Sequence, residues 1–194
     1  MTAGRAGGAS SAPPLEVAAL SAGETRAVGR RLASLLTGGD VVVLSGELGA
    51  GKTTFAQGIG AGLGVRGDVT SPTFVISRVH PSSGGGPALV HVDAYRLHGS
   101  AELDDLDLDE TLEQAVTVVE WGDGLAETLS ENRVRVHLSR RRTRDGDDEG
   151  PALATADLDT DDEPREITLE GVGPRWAGVP LHQVAAEGRG EARP

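Results

Sequence analysis

Residues 41–53 read VVVLSGELGAGKT, and this stretch decides the fold. VVVLS (41–45) is a continuous apolar run rich in β-branched residues, the pattern of a strand buried on both faces of a parallel sheet. GELGAGKT, Gly46 to Thr53, matches G-x-x-x-x-G-K-[ST] at every required position. The residues after it, TTFAQGIGAGLG, read as a helix ended by Gly64. A strand entering the loop and a helix leaving it is the context in which the motif binds phosphate. Gly46, Gly49 and Gly51 allow backbone conformations that bring the chain close around an anion. The amides of the loop, those of Glu47, Leu48 and Ala50 included, then point inward, with Thr54 following at the helix N-terminus, where the dipole favours negative charge. Lys52 reaches the β- and γ-phosphates, and the Thr53 hydroxyl is placed for Mg²⁺.

Working outward, LEVAAL (15–20) reads as a short strand. Ser21 and Glu24 form a capping box for a helix that runs to Gly38–Gly39, with Val28, Leu32 and Leu35 on one face. Downstream, the residues predict strands at 74–80, 88–93 and 115–121, a short acidic helix at 101–113 and another helix at 123–129. RVRVHLS (133–139) alternates strictly, and EITLEG (166–171) follows as a last strand that pairs with it. The expectation is one α/β domain, P-loop NTPase-like, with a partly parallel central sheet flanked by helices. Residues 1–14 read as a disordered tail, 15–139 as the main domain, 140–165 as an acidic disordered insertion, 166–176 as the domain's terminal strand and 177–194 as a loose tail.

Two apolar runs end in a carboxylate: LVHVD in Asp93 and VTVVE in Glu120. Both are expected at the C-terminal edge of a parallel sheet, beside the phosphates. Asp93 suits the metal shell better and Glu120 the orienting of water, with the two roles open to exchange. TSPTF (70–74) occupies the place where many P-loop proteins keep a switch segment, but read alone it is a proline turn. His91 and Asp93 share a strand face, yet the other histidines are scattered and no zinc constellation results. Arg140, Arg141, Arg142 and Arg144 read as a solvated loop edge, with a phosphate-gripping lid or a partner patch as the alternatives.

Composition bounds the partners. The 194 residues carry a net charge of −12 and no cysteine, which excludes disulfides and thiolate chemistry. Lys52 is the only lysine. Residues 101–113 hold seven acids and no base, and residues 143–166 hold ten acids against two arginines, so the acidity belongs to two segments. With that charge and few aromatics, direct grip on tRNA is poorly supported. No apolar run is long enough to span a bilayer, which leads to the expectation of a cytoplasmic protein without a membrane partner.

GELGAGKTTF, then TSPTF, HVDAYRL (91–97) and VVEW (118–121), in this order, resemble the TsaE family, also called YjeE. That family supplies the ATPase subunit of bacterial tRNA threonylcarbamoyladenosine biosynthesis. The resemblance covers about residues 15–139 together with the last strand, and implies ATP and Mg²⁺ as cofactors. It implies Thr25 near the nucleotide base, and Ser71, Pro72, Thr73 and Phe74 as a switch loop. Asp93 and Glu120 become members of the Mg²⁺ and catalytic set with Lys52 and Thr53, while Tyr95, Arg96 and Trp121 lie near the nucleotide or a partner. It further implies action with TsaD and TsaB, with tRNA contacted only through the complex. Gly122–Asp123 replaces the family's usual Pro-Glu, Glu47 stands where Asp is commoner, and the insertion at 140–165 is not a family feature. Two other readings remain at this point: a small-metabolite or nucleoside kinase, and a non-catalytic nucleotide-gated interaction module.

Overall fold

The computed structural model describes residues 13–72, 75–97, 102, 113–125, 129–141 and 163–185. In chain order the elements are β1 (Leu15–Ala19), α1 (Ala22–Ala33), β2 (Val41–Ser45), α2 (Lys52–Leu63), β3 (Ser77–His80), β4 (Ala88–Asp93), β5 (Ala115–Glu120), β6 (Arg133–Arg140) and β7 (Arg165–Val172). The seven strands form one sheet in the order β1-β7-β6-β2-β5-β4-β3. The central strands β6, β2, β5 and β4 are parallel to one another. β7 and β1 add antiparallel on one side and β3 on the other. This is the partly parallel α/β architecture expected from the alternating pattern.

The sheet's two faces are packed differently. Val42, Leu44, Val118, Val136 and Leu138 point to the face carrying α1 and α2, with Leu32, Phe55 and Ile59 against them. Val41, Val43, Val90, Val92 and Val119 point to the opposite face, where Ile76, Leu97, Leu125 and Leu129 pack. The inner strands β2, β4 and β5 are therefore buried on both sides, which is why VVVLS and AVTVVE are apolar without alternation. Both long helices among the described residues lie on the same face. They approach closely: a Cβ on Gly29 would collide with the Phe55 carbonyl, and one on Gly58 with the Arg26 backbone, its Cα at 2.9 Å. Glycine costs helix stability, and here the cost is offset by contact between the two backbones.

Several expected bounds shift for identifiable reasons. Ser21 caps α1 as anticipated, its Oγ accepting the Glu24 amide at 3.2 Å while the Glu24 carboxylate accepts the Leu20 amide at 2.7 Å. The helix nevertheless stops at Ala33, before Gly38–Gly39. The buried Asp40 carboxylate accepts the Thr37 amide at 2.8 Å and holds the intervening chain in turns. β3 starts at Ser77 instead of 74, because the Val75 and Ile76 amides both donate back to the Pro72 carbonyl. Residues 123–125 form turns, while 126–128 of the expected helix lie outside the described residues. The acidic stretch 101–113 also lies outside them, apart from Glu102 and Glu113, as do residues 142–162 of the acidic segment.

The domain also extends past Trp176. Pro174–Trp176 and Leu181–Val184 form 3-10 turns whose Trp176, Leu181 and Val184 are buried in the core beside α1. Arg31 donates to the Val184 carbonyl at 2.6 Å, and Arg175 donates to Asp40 at 3.1 Å and the Leu35 carbonyl at 2.9 Å. The tail expected to be loose from 177 is thus packed through Ala185, because its few apolar residues recur at a spacing that buries them.

Candidate functional site

The parallel pairing of β2 with β5, and of β5 with β4, brings Asp93 and Glu120 level at the C-terminal ends of their strands, directly opposite one another in register. β2 leads into the loop 46–51, and α2 begins at Lys52. Gly46, Gly49 and Gly51 adopt φ of 134°, 76° and 98°, the left-handed region that a side chain would strain. Gly46 also lies so close to the Leu138 carbonyl that a Cβ could not be accommodated. The loop encloses one side of a cavity of about 470 Å³.

Lys52 is buried at the cavity floor, its Nζ donating to the Gly46 and Glu47 carbonyls at 2.9 Å each. The same ammonium lies 3.6 Å from the centroid of the Trp121 ring, whose other neighbour is Tyr95 at 5.2 Å between centroids. Trp121 has φ of 59°, uncommon for a bulky residue. Burial lowers the Lys52 pKa from its usual 10.5, opposed by the nearby charges of Glu120, Asp93 and Glu47. The site therefore holds a desolvated cation whose charge an incoming anion would stabilise.

The Thr53 hydroxyl donates to Glu120, at 2.9 Å to Oε1 and 3.1 Å to Oε2. His91 Nε2 lies 2.9 Å from the same Oε1, so the buried Glu120 carboxylate is held from two sides. Asp93 instead accepts the Ser71 hydroxyl at 3.0 Å and the Tyr95 amide at 3.1 Å. Ser71 belongs to the segment expected as a switch loop; Pro72 is buried, and Thr73 and Phe74 lie outside the described residues. Thr25 lines the cavity, and its hydroxyl donates to the Ser21 carbonyl at 3.1 Å. Thr54 and Leu48 line it as well.

Three contributors were not legible as site residues. His91 reads as half of a metal pair but acts on Glu120 by a hydrogen bond, a cross-strand contact that one strand's pattern does not reveal. Arg165 and Glu163 also line the cavity, although they fall in the charged segment read as disordered. Their one sequence signal is position, at the start of a strand. Arg140, from the expected lid, lies against Gly49 on the loop's flank and is absent from the cavity lining.

The parallel core, the glycine-rich loop between β2 and α2 and the two carboxylates at adjoining strand ends define an α/β protein of P-loop NTPase-like fold. The family model described as "Threonylcarbamoyl adenosine biosynthesis protein TsaE" matches residues 19–146. The chain belongs to the TsaE family. It is 58% identical over 161 residues to the tRNA threonylcarbamoyladenosine biosynthesis protein TsaE of Streptomyces coelicolor, covering 82% of this chain and 99% of that relative. The TsaE protein of Bacillus subtilis is 38% identical over 154 residues, covering 79% of this chain and 83% of that relative. A crystal structure of Bacillus subtilis YdiB superposes with a TM-score of 0.60 at 33% identity, covering 84% of this chain and 88% of that one.

Proposed function

We infer that this chain is the ATPase component of tRNA threonylcarbamoyladenosine biosynthesis, hydrolysing ATP to ADP and phosphate in concert with TsaD and TsaB. One observation carries the reading: Lys52, Thr53, Glu120 and Asp93 converge in one cavity above a glycine-shaped loop. The residues fit a nucleotide and its metal. The carbonyls that hold Lys52 are weak substitutes for phosphate oxygens, and Thr53, Glu120 and Asp93 are hard oxygen donors of the kind Mg²⁺ takes. Bound Mg²⁺ would neutralise charge on the phosphates.

The chain's own residues have distinct tasks in this reading. The loop amides and Lys52 hold the phosphates. Thr53 and Glu120, already hydrogen-bonded to each other, would hold the metal, which favours Glu120 over Asp93 as the inner carboxylate and exchanges the roles expected of them. Asp93 then orients the attacking water, and Ser71 links that carboxylate to the switch segment. Leu48 and Tyr95 are exposed large apolar residues at the cavity rim, surface that a protein partner would cover. Turnover without partners is expected to be slow, with tRNA reached only through the complex.

The test is ATP turnover by the wild type, Lys52→Ala and Glu120→Ala, each with and without TsaD and TsaB. Hydrolysis that the partners stimulate and both substitutions abolish is the expected result. Phosphate transferred to an added nucleoside would mean a kinase instead. ATP-dependent docking without turnover under any condition would mean an interaction module. Comparing Glu120→Gln with Asp93→Asn for the Mg²⁺ concentration needed at half-maximal ATP binding separates the carboxylates; the larger shift is expected for Glu120.

A further inference from the structure

His91 is fully buried on β4, in a run whose neighbours Leu89, Val90 and Val92 are apolar. A polar side chain in such a place costs stability unless it is hydrogen-bonded. Its Nε2 lies 2.9 Å from Glu120 Oε1, while the buried Nδ1 has no partner among the described residues. A carboxylate only accepts, so the imidazole proton is on Nε2 and His91 donates. The contact is diagonal. In the register of β4 with β5, His91 stands opposite Val118, and Asp93 stands opposite Glu120. His91 therefore reaches past its own partner to the carboxylate two residues beyond it. Asp93 and Glu120 stand side by side on adjoining strands, an arrangement in which like charges repel. Each has its own donors: Thr53 and His91 hold Glu120, while the Ser71 hydroxyl and the Tyr95 amide hold Asp93. Within Glu120, Oε1 accepts from both Thr53 and His91 at 2.9 Å, whereas Oε2 accepts only from Thr53, at 3.1 Å.

We propose that His91 is a positioning residue, whose Nε2–H fixes the Glu120 carboxylate against Thr53 and leaves Oε2 as the less committed oxygen for a divalent cation. The proposal rests on the nucleotide and metal reading above and names what orients the inner carboxylate. A hydrogen bond made to a ligating group, by a residue that does not itself meet the ion, orients that ligand and tunes its affinity. His91 has no exposed surface and is absent from the cavity lining. It can therefore influence a bound nucleotide or ion only through a neighbour that does line the cavity, and Glu120 is that neighbour. The same arrangement accounts for an imidazole in a strand that is otherwise apolar up to its terminal Asp93.

The competing role is that of a core histidine that merely satisfies a buried carboxylate. Two quantities separate them, both read by calorimetry on the full chain: the Mg²⁺ concentration at half-maximal ATP binding, and ATP binding without Mg²⁺. The proteins compared are the wild type, His91→Leu, His91→Gln, His91→Asn, Glu120→Ala and the double substitution of His91→Leu with Glu120→Ala. For His91→Leu the Mg²⁺ requirement is expected to rise about tenfold, with metal-free ATP binding changed less than about twofold. His91→Gln can bring an amide nitrogen to where Nε2 lies and should recover most of the loss, whereas the shorter His91→Asn should not. In the Glu120→Ala background His91→Leu should add nothing, since the group through which it acts is gone. An unchanged Mg²⁺ requirement in His91→Leu would overturn the proposal, as would an equal rise in both backgrounds. Should His91→Leu not fold, His91→Gln against His91→Asn decides by the same measurement, equal Mg²⁺ requirements overturning the proposal. A wild type whose ATP binding does not respond to Mg²⁺ would instead overturn the metal reading itself, an outcome no substitution at His91 produces.

Discussion

The β2–α2 unit and the β6–β7 ribbon both contribute to the cavity, but in different ways. Residues 41–64 carry the glycine-rich motif in an unbroken stretch: strand, loop, lysine, threonine and helix follow one another as the motif requires. The ribbon carries no motif. It supplies the carbonyl of Leu138 beneath Gly46, the side chain of Arg140 against Gly49 and Arg165 beside Gly51. The first region supplies the loop, Lys52 and Thr53 to the cavity, and the second packs against that loop and adds Arg165 to the lining. The glycine-rich loop is thus packed against a strand pair far along the chain, through β6 pairing beside β2.

Substitutions that strike one region and spare the other break this comparison at known points. The largest effect is expected from Lys52→Ala, which on the proposed function should lower ATP turnover about 100-fold or more by removing the buried positive charge from the cavity. Its melting temperature should hold or rise, since a desolvated cation is lost from the folded state. Gly46→Ala strikes the seam between the regions. The new methyl meets the Leu138 carbonyl at a φ of 134°, so ATP binding should weaken on the order of tenfold and stability fall by about 2 kcal/mol. Calorimetry and urea denaturation of the same sample read both quantities.

Leu181→Ala tests the part of the fold that no motif announces. Its side chain is buried against the core, so the loss should be about 2 kcal/mol, at the low end for such a truncation, with the ATP dissociation constant unchanged. The smallest effect concerns His80. Burial, reinforced by the positive fields of His91 and Arg78, lowers its pKa below the usual 6.5. The folded state therefore prefers neutral His80, and its stabilising share is complete above pH 6.5 and is lost as pH falls through the lowered value. Urea midpoints at pH 7 and pH 5 should differ less for His80→Asn than for the wild type.

What could be read ahead of the structure follows how local each feature is. The Ser21–Glu24 cap, the buried strand at Val41–Ser45 and the αL stop at Gly64 are each determined within a few residues, and each was legible. The pairing of 133–139 with the last strand was readable as well, because strict alternation marks a strand wet on one face. The end of α1 was not, since the residue that turns the chain there, Asp40, is itself held by Arg175 across the domain. The carboxylates divide in the same way. Their presence at the sheet edge was readable from two apolar runs, but the partnership of Glu120 with Thr53 and His91, and of Asp93 with Ser71, depends on which strands are neighbours.

By itself, then, the sequence determined the glycine-rich loop between a buried strand and a helix, the carboxylates at two neighbouring strand ends and the α/β class, because motif spacing and hydrophobic period act over short distances. Tertiary structure alone decided which carboxylate meets Thr53, that the chain to Ala185 packs on the core, and that Arg165 lies beside Gly51. The physical reason is the order of the strands. Neighbours in the sheet are set by the burial of both its faces at once, and no local pattern records which distant strand will lie alongside.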